Sequence, residues 1–407
     1  MRKCDNWLKS WLQYSSSWES PERFRLWSGI AAISAVAQRK IFAYVKGQRL
    51  FANTYILLIG SPGSGKGNAM KYLAQWLKEL KEDDFSMAPD GLTKRAFYME
   101  LEAARIFPDG NHELEQHSLT AFIEELGVFL HPGDTDFVYA LCHVYDCPKK
   151  FEYKTASSGS NFANNACFSM LSACTPKALR DIYSEDAMEL GISARTIIVF
   201  ADDKVEVDIF GKPKHRDQLK KDLQYDLRHM LNLHGEYQFD EEAAKALVKW
   251  SKEEFSPKPK DPRFEHYNSR RFVQIVKLCM IVAMSKRDDP IILIEDFNDT
   301  KSILLECERH MPKAIETLGA NPLLIQQNSC LTYVNEIYRK HSRGATEAEL
   351  LRLIERDVAP HLRSEVLTQM ANAKWVTVAG SPPERVFYPR GKEKERIKKE
   401  KEDDKDI

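Results

Sequence analysis

The sequence lacks the features that mark membrane, secreted and strongly charged proteins. No apolar run reaches the length of a membrane span, and the N-terminal residues show no signal-peptide pattern. The 59 basic and 60 acidic side chains leave a net charge of −1, which excludes a global basic field for nucleic acid. We therefore expect a soluble cytoplasmic protein that contacts nucleic acid only through local patches.

The eight cysteines contain no CxxC pair. Cys142 and Cys147 are five residues apart and Cys167 and Cys174 are seven apart, with no His-x3-His partner. This spacing favours free thiols in a reducing compartment over a zinc site. Internal repeats are also missing, so a chain of 407 residues is expected to form two or three distinct domains.

The sequence does contain a glycine-rich turn between an apolar run and a helix-forming run. Residues 54–59 predict a strand and residues 68–77 predict a helix, and the turn between them carries the complete pattern G-x4-G-K. Backbone N–H groups and the helix N-terminus of such a turn cradle phosphate, and the lysine reaches the β- and γ-phosphates. The alternative is a structural glycine turn. The predicted binding residues are Gly60, Ser61, Pro62, Gly63, Ser64, Gly65, Lys66, Gly67 and Asn68.

A metal ion at this turn needs an acidic residue from elsewhere in the chain. The residue after the lysine usually supplies a hydroxyl to Mg²⁺, but here it is Gly67. An apolar run at residues 119–123 ends in Glu124 and Glu125. We predict that Glu124 holds Mg²⁺ through water and that Glu125 polarises the attacking water. The alternative for this pair is a solvated helix start.

Two further polar residues flank predicted strands. Thr175 ends the apolar run at residues 166–174, where a hydroxyl would lie between the γ-phosphate and the attacking water. Arg195 precedes the strand at residues 196–200, a position from which an arginine meets the phosphate of a neighbouring subunit. An ordinary strand end and a surface arginine are the alternatives.

In this order, these motifs resemble an AAA+ ATPase. The chain is similar to ATPases of the phage and mobile-element primase-helicase-associated family in residues 19–27, 50–53 and 88–93, and its downstream part resembles the MCM helicase ATPase. The resemblance implies ATP and Mg²⁺ as cofactors, Thr175 as the first sensor and Arg195 as the arginine finger. It also implies that Arg270 or Arg271, in the first turn of a lid helix, touches the γ-phosphate; the alternative is that both only solvate that face.

The predicted fold is an α/β P-loop core with helical additions. Residues 328–390 show the order helix, helix, helix, hairpin of a winged helix, with Thr346 as an N-cap. Its third helix holds only His361 and Arg363 as basic residues, so DNA contact and protein docking both remain open. The predicted parts are a helical N-terminal extension (1–48), the ATPase core (49–205), a helical lid (206–320), the winged helix (328–390) and a charged tail (391–407).

The resemblance implies an ATP-driven ring, a hexamer, that unwinds or translocates DNA during phage or mobile-element replication in a bacterial cytoplasm. The predicted DNA contacts are Lys149, Lys150 and Lys154, which are interleaved with Phe151 and Tyr153. A hairpin with solvated lysines is the alternative there. Two other functions stay open: a replication initiator or helicase loader that acts as an ATP switch, and a structural module with a degenerate nucleotide site. No primase pattern is evident, so a replication partner protein would supply priming.

Overall fold

A computed structural model of the chain divides it into two compact units, Met1–Glu316 and Thr317–Ile407. The two units are described separately below. No described helix is both long enough and apolar enough to cross a membrane. The structure describes residues 2–80, 85–107, 115–155, 159–182, 191–203, 205–207, 216–252, 258–315 and 322–392.

The first unit begins with two helices and a hairpin. Helix α1 (Trp7–Tyr14) and helix α2 (Glu22–Ala37) precede the antiparallel strands β1 (Ile41–Val45) and β2 (Gln48–Phe51). The prediction that residues 1–48 are helical is therefore wrong beyond α2. Lys46 and Gly47, with φ of 52° and 75°, make the left-handed turn that a two-residue hairpin requires.

A mostly parallel sheet forms the centre of the first unit, which confirms the predicted α/β class. The strand order is β10-β3-β9-β6-β4, and β5 pairs antiparallel with β6 at its start. All five residues of β3 and all nine of β9 are buried, as expected for strands covered by helices on both faces. The strands are β3 (Tyr55–Ile59), β4 (Ser86–Met87), β5 (Arg105–Ile106), β6 (Gln116–Ile123), β9 (Ala166–Cys174) and β10 (Thr196–Phe200).

Helices and one hairpin connect these strands. A separate antiparallel hairpin, β7 (Lys150–Thr155) and β8 (Gly159–Asn164), is inserted between a helix and the central strand β9. Its base joins β9 through Ala166 N–H, which donates to the Pro148 carbonyl at 3.1 Å. The helices are α3 (Lys66–Glu79), α4 (Lys94–Ala103), α5 (Leu126–Phe129), α6 (Thr135–Tyr145), α7 (Pro176–Ile182) and α8 (Ile192–Arg195).

A helical layer completes the first unit. It packs directly on the sheet: Cys307 Sγ, for example, donates to the Ile198 carbonyl of β10 at 3.2 Å. Two short strand pairs join the layer, β1 with β11 and β12 with β13. The elements are α9 (Arg216–Leu231), β11 (Gly235–Glu236), β12 (Gln238–Phe239), α10 (Glu241–Lys252), a 3-10 turn (Pro262–Phe264), α11 (Glu265–Lys286), β13 (Ile291–Ile292) and α12 (Ile294–Ile315).

Helix α11 carries a buried lysine, Lys277, whose ammonium bonds to the neutral side chain and carbonyl of Asn53. Lys277 Nζ donates to Asn53 Oδ1 at 2.6 Å and lies 3.9 Å from the centroid of the Tyr145 ring. Burial lowers the pKa of Lys277 to about 8, although Cys147 and nearby groups act in the opposite direction. The lysine therefore titrates more than two pH units lower in the folded protein than in the unfolded chain.

We expect the Lys277 contribution to stability to increase as the pH rises from 8 to 10. In that window the unfolded chain binds a proton that the folded protein does not, so raising the pH favours folding. The free energy of unfolding of the wild type relative to Lys277→Gln should rise by about 2 kcal/mol across the window. Urea titrations followed by tryptophan fluorescence measure this difference. The exposed Lys245→Gln is the control, and a pH-independent difference for Lys277→Gln would contradict the prediction.

In residues 322–392, the part of the second unit that the structure describes, there are three helices and a three-stranded antiparallel sheet of order β14-β16-β15. The capping box between Thr346 and Glu349 confirms Thr346 as an N-cap. A buried ion pair between Arg385 and Glu347, 2.6 Å, ties the last strand to the second helix. Of the predicted tail, residues 393–407 lie outside the described residues. The elements are α13 (Pro322–His341), β14 (Ala345–Thr346), α14 (Glu347–Ile354), α15 (Pro360–Asn372), β15 (Val376–Ala379) and β16 (Val386–Pro389).

Candidate functional site

The carboxyl edge of the central sheet brings three predicted motifs together. Strands β3, β9 and β6 are parallel neighbours, with Ile59 beside Cys174 and Ile123 beside Ser172. The residues that follow these strands, from the glycine turn to Thr175 and Glu124, therefore leave the sheet at the same edge. In open α/β sheets this edge is where ligands bind.

The glycine turn has the backbone that a phosphate loop needs. Gly63 and Gly65 have φ of 78° and 79°, in the left-handed region that side chains disfavour. Helix α3 begins at Lys66, and its N-cap, Gly65, provides no side chain to occupy the first N–H groups. The positive end of the helix therefore opens onto the turn.

Lys66 is folded over its own loop. Its Nζ donates to the Gly60 carbonyl at 2.7 Å and to the Ser61 carbonyl at 2.9 Å. Burial lowers the pKa of Lys66, while Cys174 and Asp202 act to raise it. These contacts hold the ammonium inside the loop, and a phosphate oxygen would replace the neutral carbonyls as a stronger, charge-assisted acceptor.

The N-terminal segment packs against the phosphate loop, a contact that the sequence did not predict. A Cβ at Gly65 would lie 2.1 Å from the Glu19 carbonyl oxygen and 2.7 Å from Ser20 Cα. Asn68 Nδ2 also donates to the Glu19 carbonyl at 3.4 Å. Gly65 is therefore required both for its backbone conformation and for the close approach of this segment. Helix α2 begins at Glu22 directly after this segment, with Pro21 as its N-cap.

Glu124 and Glu125 follow β6 and are exposed at the carboxyl edge of the sheet. Glu124 Oε2 would be 4.0 Å from a Cβ at Gly67, so Glu124 faces the position that normally carries the metal-binding hydroxyl. Both acids line a cleft of about 760 Å³ together with Lys71 and Asp90. No group of three or more potential ligands clusters among the described His, Cys, Asp and Glu residues. Mg²⁺ fits this arrangement, since it binds one or two carboxylates and completes its shell with waters and phosphates.

Thr175 lies between the phosphate loop and the acids. It follows β9, the strand that separates β3 from β6. Its Oγ1 accepts the Ala178 N–H at 3.2 Å and so caps α7. This bond fixes the oxygen at the edge and leaves its hydroxyl proton as a donor.

The predicted arginines lie elsewhere. Arg195 precedes Thr196, which pairs with Tyr55 at the start of β3, so Arg195 stands at the amino edge of the sheet. Arg270 is beside it, because both arginines bond to Asp146. Neither is near the phosphate loop of its own chain.

The prediction that Arg271 contacts phosphate is wrong, because Arg271 is buried and paired with Glu308. Its Nε and Nη2 donate to the two carboxylate oxygens of Glu308 at 2.5 and 2.6 Å, and both side chains are 3% exposed. The guanidinium also lies 4.8 Å from the Trp250 ring centroid. Arg271 therefore joins α11 to α12, and releasing it would leave Glu308 as an unpaired buried charge.

The predicted DNA-contacting segment forms hairpin β7–β8. Lys149 and Lys150 are exposed, and Lys154 lies in β7 with its side chain outside the described part of the structure. The interleaved aromatics need a correction: Phe151 is buried, and Tyr153 stacks on Tyr98 with ring centroids 3.6 Å apart.

The exposed aromatic of the hairpin is on its other strand. Phe162 is 48% exposed and stands opposite Glu152. The sequence analysis did not predict this residue, because the lysines that mark the segment lie in and just before β7. The available signal was the period of two in β8, which puts Phe162 and Ala163 on opposite faces.

No protein-family model matches the chain, and no curated protein matches it. The function is therefore inferred from the geometry at the two edges of the sheet.

Proposed function

We propose that the chain is an AAA+-type ATPase that assembles into a ring, a hexamer, and translocates or unwinds DNA in phage or mobile-element replication. The observation that carries the proposal is the meeting of the phosphate loop, Thr175 and the acids Glu124 and Glu125 at one edge, on three neighbouring parallel strands. A phosphate cradle, a hydroxyl and a carboxylate in this order are the groups that nucleotide hydrolysis requires.

The residues divide the chemistry among them. The loop amides and Lys66 bind the β- and γ-phosphates, and Glu125 accepts a proton from the attacking water. The Thr175 hydroxyl orients that water against the γ-phosphate. Glu124 would hold Mg²⁺ through water ligands, and the ion would neutralise charge on the transferred phosphoryl group.

The position of Arg195 supports the proposed ring assembly. Strand β3 separates Arg195 from the phosphate loop, and its five residues span about 13 Å at roughly 3.3 Å per residue. An arginine side chain does not reach across that distance. A phosphate that meets Arg195 must therefore belong to a neighbouring copy, which makes the ATP site a shared one.

The DNA-binding part of the proposal depends on hairpin β7–β8 and the second unit. The exposed Lys149, Lys150 and Phe162 combine positive charge with a stacking surface, which suits a single strand. The second unit has the element order of a winged helix, although its Arg363 guanidinium bonds to the Val358 carbonyl at 2.8 Å. That contact favours protein docking over base reading by α15.

ATP turnover with and without forked DNA tests the proposal. A translocating ring should hydrolyse ATP, respond to DNA and displace the annealed strand. DNA-stimulated turnover without strand displacement would favour the initiator or loader, which uses ATP as a switch. If the folded protein hydrolyses no ATP in the presence of Mg²⁺, neither the translocase nor the ATP switch is correct. The remaining alternative is then a structural module with a degenerate nucleotide site.

We expect that removal of residues 317–407 preserves ATP turnover. The second unit is compact in its own right, and every site residue assigned above lies in the first unit. Affinity for forked DNA, or for a replication partner protein, should fall several-fold. Steady-state turnover and fluorescence anisotropy of labelled DNA measure the two effects. If the truncated protein keeps its circular dichroism spectrum but loses turnover, the second unit belongs to the motor.

A further inference from the structure

Asp146 holds two arginines from different helices on one carboxylate. Its Oδ2 accepts from Arg195 Nη2 at 2.6 Å, and its Oδ1 accepts from Arg270 Nη1 at 2.9 Å. Burial acts to raise the pKa of Asp146, but the hydrogen bonds from the two arginines outweigh it and the pKa is lowered. The carboxylate is therefore charged at neutral pH. One positive charge of the two guanidiniums remains unbalanced within this trio.

The trio is open to solvent at Asp146 and Arg270, whereas the Arg195 side chain is only 12% exposed. The Asp146 side chain is 44% exposed and that of Arg270 is 33% exposed. Among the described residues the buried Nε of Arg195 has no normal hydrogen bond, although the guanidinium also interacts with the neighbouring Cys142 thiol. A phosphate would be a stronger, charge-assisted acceptor for this guanidinium than a neutral thiol. Arg195 and Arg270 thus have the arrangement of an anion site, and the Asp146 carboxylate occupies the position of the anion.

We infer that Asp146 is the resting occupant of an anion site formed by Arg195 and Arg270, and that a terminal phosphate of a nucleotide bound by a neighbouring copy displaces it. The inference rests on the proposed function, because it is the shared ATP site that brings a phosphate to this edge. Guanidinium groups bind carboxylate and phosphate with the same paired geometry, and the phosphate carries more charge. Asp146 is a positioning residue that keeps the arginines aligned until the phosphate arrives.

The backbone around Asp146 allows the exchange to occur by side-chain rotation alone. Asp146 N–H donates to the His143 carbonyl at 3.2 Å, and Arg39 Nη1 donates to the Cys147 carbonyl at 2.5 Å. These bonds hold the end of α6 and the base of hairpin β7–β8 in place. The carboxylate can therefore leave the arginines without refolding of either element.

Tripolyphosphate binding to the full chain tests the inference without requiring hydrolysis. In a Lys66→Ala background the chain's own loop is disabled, so the arginine site dominates. Adding Asp146→Asn removes the competing carboxylate and should tighten binding on the order of tenfold by isothermal titration calorimetry. Adding Arg195→Ala to that double variant should remove the gain. Asp136→Asn, on the exposed face of α6, is the matched control and should change nothing.

Two further variants keep the test decisive if Asp146→Asn folds poorly. In the Lys66→Ala background, Asp146→Glu retains a carboxylate and should bind tripolyphosphate as weakly as the background does. Arg270→Ala should weaken binding on the order of tenfold. Unchanged or weaker binding by a folded Asp146→Asn variant, or full binding by Arg270→Ala, would overturn the inference. A wild type that fails to hydrolyse ATP but passes these binding tests would contradict only the proposed function.

Discussion

Replacing Lys66 with alanine is expected to abolish ATP binding at micromolar nucleotide concentrations. The Lys66 ammonium lies inside the loop, 2.7 Å from the Gly60 carbonyl, where it would meet the β- and γ-phosphates. Hydrogen bonds to charged groups each contribute about 1.5–3 kcal/mol, so losing two of them weakens binding by at least about 100-fold. Calorimetric titration with ATP and Mg²⁺ measures the loss.

The control for Lys66→Ala is Lys245→Ala on helix α10. The Lys245 side chain is 73% exposed and pairs with Glu241, one turn away. This variant removes the same charge and side chain at a distance from the glycine turn, and it should keep the wild-type affinity. If Lys66→Ala binds ATP as tightly as Lys245→Ala does, the glycine turn is not a phosphate site.

Replacing Glu125 with glutamine should leave ATP binding intact and slow hydrolysis by about 10²–10⁴-fold. Glutamine has nearly the same shape but cannot accept the proton of the attacking water, and a positioned base contributes a factor of this size. Glu124→Gln should instead raise the Mg²⁺ concentration needed for half-maximal turnover, because Glu124 faces Gly67. Single-turnover kinetics across a Mg²⁺ titration separate the two effects.

Glu124→Gln and Glu125→Gln serve as matched controls for each other. Both glutamates are exposed, so neither substitution leaves a buried group unpaired, and thermal unfolding should match the wild type. An exchange of the two phenotypes would mean that Glu124 is the base and Glu125 the metal-facing acid. Normal turnover in both variants would remove the acids from the mechanism.

The carboxyl-edge site was predictable because its geometry is local to each strand end. Once β3, β6 and β9 are parallel, the residues after them must share an edge, whatever their separation in sequence. The Thr346 capping box was predictable for the same reason, since both partners lie within four residues.

The parts that the sequence did not predict depend on distant partners. Arg271 pairs with Glu308, 37 positions away, and Tyr153 of β7 stacks on Tyr98 of helix α4. The sequence does not distinguish an exposed arginine from a buried, paired one, because burial depends on a tertiary contact with a residue far away in the chain. The contact of Glu19 with Gly65 is likewise a tertiary contact with no local pattern.

Helix α11 contacts the amino edge of the sheet at two points, and strand β3 runs from that edge to the carboxyl edge. Arg270 of this helix donates a hydrogen bond to Asp146. Lys277, two turns further along the helix, donates to Asn53, just before β3. Strand β3 then leads without a break into the phosphate loop. Force applied at the arginine edge therefore has a stiff route, through a helix and a strand, to the loop on the far side. In the proposed ring, the arginine edge of each copy would thus be connected to the phosphate loop of the same copy through α11 and β3.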